Sequence, residues 1–126
     1  TRKSTINIPA AQMMKKVDYC GIYSGKNIDK SGLFNLQETE YGINIIDECP
    51  VNIVCRAVKD FLIEHRHIFI GEVLKTFIDE KYLESDAGNK KIVGLDKLNP
   101  LIYALDNKYY TIGKQIGTGY KAGIDK

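Results

Sequence analysis

The residues of this sequence best suited to chemistry lie in one short stretch, from Asp18 to Lys30. Its second half combines flexible backbone, a hydroxyl group, a carboxylate and two cations: Ser24, Gly25, Lys26, Asp29 and Lys30. A loop with accessible backbone N–H groups, a hydroxyl and two lysines has the chemistry that binds an anion, above all a phosphate. Residues 24–30, here named the 24–30 loop, are therefore predicted to hold an anionic ligand. The same residue types also suit an ordinary solvated loop, so composition alone leaves both interpretations open.

A strand and a helix are predicted to precede this loop. Ser4 to Ile8 is rich in β-branched residues and stops at Pro9, which lacks the backbone donor that a strand needs. From Ala10 to Tyr19 the apolar residues recur at helical spacing, which predicts a helix of about three turns. Gly21 is the expected stop signal of that helix.

Two long strands dominate the middle of the chain. Val51 to Ile63 and His67 to Asp79 both alternate, and the short polar link Glu64–Arg66 predicts an antiparallel hairpin. Both faces of these strands are largely apolar, so both should be covered, as in a barrel or at a subunit interface.

Shorter elements fill the rest of the sequence. We expect a loop over 33–42 with a short strand near Leu36, a strand approaching Asp47, a surface turn over 84–91, a short element over 95–98, a second hairpin over 101–105 and 109–112, and a surface tail over 113–126. This order predicts a mainly β fold, an antiparallel barrel with one or two short helices.

Composition narrows the functional classes. The 126 residues suit a single domain, and 44% hydrophobic with 27% charged residues is ordinary for a globular protein. A net charge of +2 argues against a nucleic-acid partner, and no apolar run has the length of a membrane span. Three cysteines without framework spacing fit reduced thiols, so we expect a cytoplasmic protein.

Other candidate sites are weaker. His65 and His67 share a strand face beside Glu64, but no matching cluster provides the third and fourth ligands of a metal site. Cys49 and Cys55 are expected to be packing residues, with a redox role as the alternative. No spacing indicates a nucleophile with its base or a pair of catalytic carboxylates, so we predict neither catalytic side chains nor a metal.

A resemblance sharpens the prediction. The segments that carry it are, in order, Asn7–Pro9, Val17–Gly25, Asp29–Lys30, Glu48–Asn52, Phe69–Val73, Pro100–Tyr103, Tyr109–Tyr110 and Ile112–Gly113. Together they resemble the flavin reductase and flavoredoxin-like proteins of the FMN-binding split-barrel superfamily.

The resemblance implies a split barrel that binds FMN through the 24–30 loop and is usually a homodimer with flavin near the subunit interface. It implies either an NAD(P)H-dependent flavin oxidoreductase or an electron carrier that serves a redox partner protein. His67, Tyr103 and Tyr109 are then candidates near the flavin ring, although each also has a plain packing role. The alternative is a split-barrel binding module without flavin.

The resemblance also bears on domain organisation. Thr1 to Pro9 has the pattern of the tail of a strand, and the resemblance implies further barrel strands before this point; the alternative is a processed or tagged terminus. We therefore expect residues 1–126 to form one domain that is the C-terminal portion of a split barrel, its N-terminal strands absent.

Overall fold

A computed structural model describes residues 2–124 of the chain. Its largest element is an antiparallel sheet in the order β1–β4–β5, formed by Lys3–Ile8 (β1), Val51–Ile63 (β4) and Arg66–Ile78 (β5). The predicted hairpin is confirmed, and its turn at Glu64 has a positive φ of 53°. Breaks in the register between Val54 and Cys55 and between Ala57 and Lys59 mark β-bulges, which bend such a hairpin.

The hydrophobic core lies at the base of this hairpin, far from its turn. Val51, Tyr82 and Leu98 are buried together, and partly buried apolar residues pack around them: Ile8, Ile53, Ile78 and Val93. The residues that follow β5 therefore fold back over the end of the sheet and close the core.

The helix α1 covers Met14–Ile22 and follows a 3-10 turn at Ala11–Met13. The predicted helix is present, but Gly21 does not end it. The amide of Tyr23 still donates to the carbonyl oxygen of Tyr19, and the chain leaves the helix only at Tyr23, whose backbone is extended. Gly21 is exposed, and a Cβ added to it would meet nothing within 4 Å, so the helix passes through this position without steric conflict.

Three small hairpins complete the strands. Leu36–Glu38 (β2) pairs with Asn44–Ile46 (β3), Leu83–Ser85 (β6) with Lys91–Val93 (β7), and Ile102–Tyr103 (β8) with Tyr109–Tyr110 (β9). A short helix, α2, covers Leu95–Leu98. The strand near Leu36, the turn over 84–91 and the second hairpin are confirmed, whereas the strands β6 and β7 beside that turn were not predicted.

The fold class is confirmed: the chain is mainly antiparallel β with short helices. Among residues 2–124 the strands form open sheets rather than a closed barrel. No helix within that range is long and apolar enough to cross a membrane. The tail is exposed from residue 113 to residue 124, as expected, and residues 125–126 lie outside the described range.

Candidate functional site

Ser24 begins the 24–30 loop and folds it. Its carbonyl oxygen accepts hydrogen bonds from the amides of Asn27 and Ile28, at 3.0 and 3.1 Å. Its side-chain oxygen accepts from the amide of Lys26 at 3.2 Å. Ser24, Gly25 and Lys26 are all exposed. The first half of the loop thus presents a hydroxyl hydrogen and a lysine side chain to solvent from a compact turn.

Asp29 organises the second half of the loop. Its Oδ1 accepts a hydrogen bond from the amide of Ser31 at 2.9 Å. The hydrogen bonding of the Ser31 side chain, together with this backbone bond, lowers the pKa of Asp29. An ionised carboxylate bonded to its own backbone two residues on forms an Asx turn, so in this structure Asp29 shapes the loop.

Lys30 points back to the helix that precedes the loop. Its Nζ donates to the backbone carbonyl oxygen of Cys20 at 2.7 Å, and the residue is half-buried. Cys20 lies in the last turn of α1, where unpaired carbonyl groups favour a cation. An ammonium group has three donors, so this bond leaves Lys30 able to donate to a ligand as well.

The five predicted residues therefore form two groups that differ in their hydrogen-bond partners. One hydrogen bond joins Ser24 to Lys26, while Asp29 and Lys30 are held by Ser31 and Cys20. All five share one short loop at the C-terminal end of α1.

His67 lies in a network on the central sheet. Its Nε2 is 2.5 Å from Oδ2 of Asp60, and Oδ1 of Asp60 accepts from Nη2 of Arg2 at 2.8 Å. Arg2 Nε also donates to the carbonyl oxygen of Ala57 at 3.3 Å. The hydrogen bonds from Arg2, and next from His67, hold the pKa of the Asp60 carboxyl below its usual value. The network thus joins the two long strands to the residue that precedes β1.

A groove of about 390 Å³ lies beside this network. Two cationic residues, a serine and three residues without polar side chains line it: Arg2, Lys3, Ser4, Ala57, Phe69 and Gly71. The ring of Phe69 lies 4.4 Å from that of His67, centroid to centroid. The groove therefore offers a flat apolar wall next to hydrogen-bonding groups.

Arg2, Asp60 and Phe69 were not among the predicted site residues. Arg2 and Asp60 are 58 positions apart and meet only through the pairing of β1 with β4. Of this network only His67 had been predicted, as a candidate near the flavin ring, while Asp60, a carboxylate within the apolar strand β4, was a sequence signal that went unused.

Tyr103 and Tyr109 lie side by side on the last hairpin, with ring centroids 5.1 Å apart. The Tyr109 hydroxyl donates to Oδ1 of Asp18 on α1 at 2.9 Å, and this bond raises the pKa of Tyr109. The Tyr103 hydroxyl donates to Oδ1 of Asn107 at 2.6 Å. Both hydroxyls are used within the chain, and Tyr109 ties the hairpin to the helix that carries the 24–30 loop.

Metal ligands do not gather in the described part of the chain. Within residues 2–124 no three His, Cys, Asp or Glu side chains lie close enough together to hold a metal ion. His65 is exposed at the hairpin turn, and His67 is paired with Asp60. All three cysteines are free thiols.

The sequence model that defines the flavin reductase like domain family matches residues 1–113 of this chain. The chain belongs to this family. The match covers α1, the 24–30 loop, the central sheet and the last hairpin, so the resemblance drawn from the ordered sequence segments is confirmed.

Two flavoredoxins are similar in structure and sequence. The flavoredoxin from Methanosarcina acetivorans is 34% identical, with a TM-score of 0.86 over 98% of this chain and 64% of its own. The flavoredoxin of Desulfovibrio vulgaris (Miyazaki F) is 31% identical, with a TM-score of 0.82 over 97% of this chain and 65% of its own. This chain thus spans a little less than two thirds of the length of these relatives.

More distant structures share the fold alone. An FMN-binding protein from Thermus thermophilus, solved with 1-cyclohex-2-enone bound, is 16% identical, with a TM-score of 0.72 over 93% of this chain and 62% of its own. No curated protein sequence matches the chain.

Proposed function

We propose that this chain is the flavin-binding part of a split-barrel electron-transfer protein of the flavoredoxin kind, with FMN as its cofactor. The observation that carries the proposal is the match to a flavoredoxin over 98% of the chain at 34% identity. The family match over residues 1–113 supports the same conclusion.

The 24–30 loop fits the phosphate end of FMN. Lys26 is exposed, and Lys30 has donors beyond the one that reaches Cys20. The Ser24 hydroxyl accepts from Lys26 N, which leaves its own O–H to donate to a phosphate oxygen. In the proposed site these three groups bind the phosphate, while Asp29 and Gly25 keep the loop in shape.

The groove beside His67 fits the ring end of a flavin. Phe69 provides a flat apolar wall, and the Arg2–Asp60–His67 network provides hydrogen-bonding groups at its margin. Asp60 fixes the orientation of the His67 ring, so that the ring keeps one position towards a ligand. Tyr103 and Tyr109 have a packing role in this proposal, because their hydroxyls are bonded to Asn107 and Asp18.

Bound FMN supplies the redox chemistry, the transfer of a hydride or of electrons, and the protein supplies binding, orientation and electrostatics. The absence of a predicted catalytic acid or base is compatible with this division. Two electron donors are compatible with the site. One is NAD(P)H, which would make the protein a flavin oxidoreductase, and the other is a redox partner protein. We place the protein in the cytoplasm, where free thiols persist.

A homodimer is part of the proposal. From its turn to just past its middle, the β4–β5 hairpin exposes large apolar side chains on both faces: Val58, Phe61, Leu62, Ile63, Ile68, Phe69, Ile70 and Val73. Exposed apolar surface of this extent marks an interface. Since Phe69 lines the groove, a second copy packed here would border the proposed flavin site.

The test begins with the purified protein. A yellow protein with flavin absorbance, or one that binds added FMN in titration, is the expected result. Protein of native fold that neither retains nor binds FMN would instead support the flavin-free binding module.

Rapid mixing of the flavin-loaded, full-length protein with NADH and with NADPH then separates the two donors. Bleaching of the flavin band by either nucleotide identifies an oxidoreductase. If neither nucleotide bleaches the flavin band, the protein is an electron carrier that receives its electrons from a redox partner protein.

A further inference from the structure

The β2–β3 hairpin lies against the central sheet without joining it. Residues 36–46, here named the flap, form a two-stranded sheet of their own, and in the described part of the chain β1 pairs with β4 alone. A cavity of about 410 Å³ lies between the flap and the base of the β4–β5 hairpin, and Cys49 is part of its wall. Of the flap residues, all of which the structure describes, only Ile45 is buried. The flap therefore covers the sheet with little apolar packing beneath it.

Three side chains of β1 bind the backbone of the flap. They are two residues apart, so they lie on one face of the strand. The bonds, each 3.1 Å long, run from Lys3 Nζ to the carbonyl oxygen of Tyr41, from the Thr5 hydroxyl to the carbonyl oxygen of Asn44, and from the amide of Ile46 to Asn7 Oδ1. Side-chain hydrogen bonds thus take the place of strand pairing at this edge of the flap.

One ion pair holds the flap near its turn. Lys75 Nζ of β5 lies 2.7 Å from the Glu40 carboxylate, and both side chains are exposed to solvent. An exposed ion pair contributes little to stability and is weakened further by salt. The contacts that join the flap to the sheet are therefore few, and each costs little to break.

Backbone hydrogen bonds close the flap on itself. At its turn, the amide and the hydroxyl of Thr39 both donate to the carbonyl oxygen of Ile43, at 3.0 and 2.7 Å. At its base, the amide of Asp47 donates to the carbonyl oxygen of Asn35 at 2.8 Å, and the amide of Asn35 donates to the carboxylate of Glu48 at 2.9 Å. None of these bonds involves the central sheet, so they can persist when the flap leaves it.

We propose that the flap opens as a unit about its base, and that this opening exposes the thiol of Cys49. Cys49 is 4% exposed in the closed structure and lines the cavity under the flap. Cys55 is 7% exposed, but it lies within β4 and does not line the cavity. Local opening needs less free energy than global unfolding. Cys49 therefore reacts with a thiol reagent in the folded protein, whereas Cys55 reacts only when the central sheet unfolds.

The experiment is a pulse of N-ethylmaleimide on the complete chain, with each labelled cysteine quantified by peptide mass spectrometry. In the wild type Cys49 should react faster than Cys55. Glu40→Gln should raise the rate at Cys49 about two- to fivefold, because it removes the ion pair that holds the flap, and should leave the rate at Cys55 unchanged. Addition of Thr5→Val to this variant should raise the total effect to about tenfold.

Glu72→Gln is the matched control. It breaks another exposed ion pair of the same sheet, from Glu72 to Arg56, which does not involve the flap, so the rate at Cys49 should stay that of the wild type. Sodium chloride should speed the labelling of Cys49 in the wild type more than in Glu40→Gln, because only the wild type has the ion pair that salt screens.

Hydrogen exchange tests whether the flap moves as one body. The amide of Ile46 is bonded to Asn7 on the sheet, whereas the amide of Thr39 is bonded within the flap. Ile46 should therefore exchange faster than Thr39, and Glu40→Gln should speed Ile46 alone. Exchange of both amides at one rate would show fraying instead of a unit that opens.

Two labelling results would also overturn the proposal. One is equal rates at Cys49 and Cys55, which would mean that only global unfolding exposes either thiol. The other is an equal effect of Glu40→Gln and Glu72→Gln on Cys49. If Thr5→Val destabilises the whole fold, Cys55 will also react faster, and Glu40→Gln alone then decides the test. None of these results depends on flavin.

Discussion

Lys30 donates a hydrogen bond from Nζ to the carbonyl oxygen of Cys20 at 2.7 Å, and so fixes the 24–30 loop to the last turn of α1. Lys26, four residues earlier in the same loop, is exposed, and its side chain makes no hydrogen bond within the described residues. The two lysines of the proposed phosphate site therefore differ in what they do before any ligand arrives.

Removal of either lysine should weaken FMN binding. Each ammonium is proposed to donate one charge-assisted bond to the phosphate, so Lys30→Ala and Lys26→Ala should each raise the Kd for FMN about tenfold or more. Only Lys30→Ala should also destabilise the protein, by about 0.3–1 kcal/mol, because it removes a cation from a helix C-terminus. FMN titration and thermal unfolding measure the two effects.

Lys15→Ala is the control for this pair, since Lys15 is an exposed lysine at the other end of α1. Unchanged FMN affinity in both single variants and in the double variant would exclude the 24–30 loop as the phosphate site.

The second prediction concerns Asp60, whose pKa is lowered first by Arg2 and then by His67. Arg2→Met should raise the pKa of Asp60 towards its ordinary value of 3.8, and His67→Phe should do so less. A lowered folded-state pKa contributes stability above the ordinary value, and this contribution is lost as the pH falls through the lowered one. Arg2→Met should therefore lose less stability on acidification than the wild type. Carboxyl NMR titration measures the pKa directly.

Arg66→Met provides the comparison, because Arg66 is an exposed arginine of β5 without an ion pair among the described residues. An Asp60 pKa that stays equally low in Arg2→Met would show that Arg2 does not hold this carboxylate in solution.

The sequence predicted elements well where a pattern was long. The alternation over Val51–Ile63 and the polar link after it placed the main hairpin to within a residue or so. The strands β6 and β7 escaped prediction because the predicted surface turn over 84–91 took in Glu84 and Ser85 of one strand and Lys91 of the other. The prediction that α1 ends at Gly21 was wrong, because a helix tolerates a glycine near its end when that position is exposed.

For the candidate site too, the sequence predicted what depends on neighbouring residues and missed what depends on the pairing of distant strands. The residues of the 24–30 loop are neighbours in sequence, so their types and spacing were visible there. The network of Arg2, Asp60 and His67 was not, because it depends on the register of β1 against β4 and of β4 against β5. Likewise, a cavity of about 410 Å³ is lined by residues from 37 to 79, which only the packing of two hairpins brings together.

The third prediction concerns the exposed apolar surface of the β4–β5 hairpin. Leu62 and Val73 are 67% and 58% exposed, which is compatible with a partner surface there. A charge in an apolar interface is costly when it is buried without a partner, so Leu62→Glu combined with Val73→Glu should convert a dimer into a monomer. Light scattering measures the mass, and circular dichroism checks the fold.

Ile92→Glu is the control, since Ile92 is exposed on β7, outside this hairpin. A wild-type protein that scatters as a monomer at micromolar concentration, or a dimer that survives both substitutions, would refute this interface.

The last prediction follows from the buried thiol of Cys49, which is 4% exposed. Burial raises its pKa from 9.0 to about 11, and the charge of Glu48 adds to the shift. A raised folded-state pKa contributes stability that is complete below the unfolded value and is lost as the pH rises through the folded one. The free energy of unfolding should therefore fall between pH 9 and pH 11, by on the order of 2 kcal/mol from this group.

Cys49→Ala removes the thiol and keeps the backbone bonds at this position, so its unfolding free energy should fall less steeply over the same pH range. Lysines and tyrosines also titrate in this pH range, and they do so in both proteins. Only the difference between the unfolding free energies of the wild type and of Cys49→Ala therefore reports on Cys49. Glu48→Gln should lie between them, because it removes the second cause of the shift and leaves the first. Parallel curves for the wild type and Cys49→Ala would mean that the thiol ionises as readily in the folded chain as in the unfolded one.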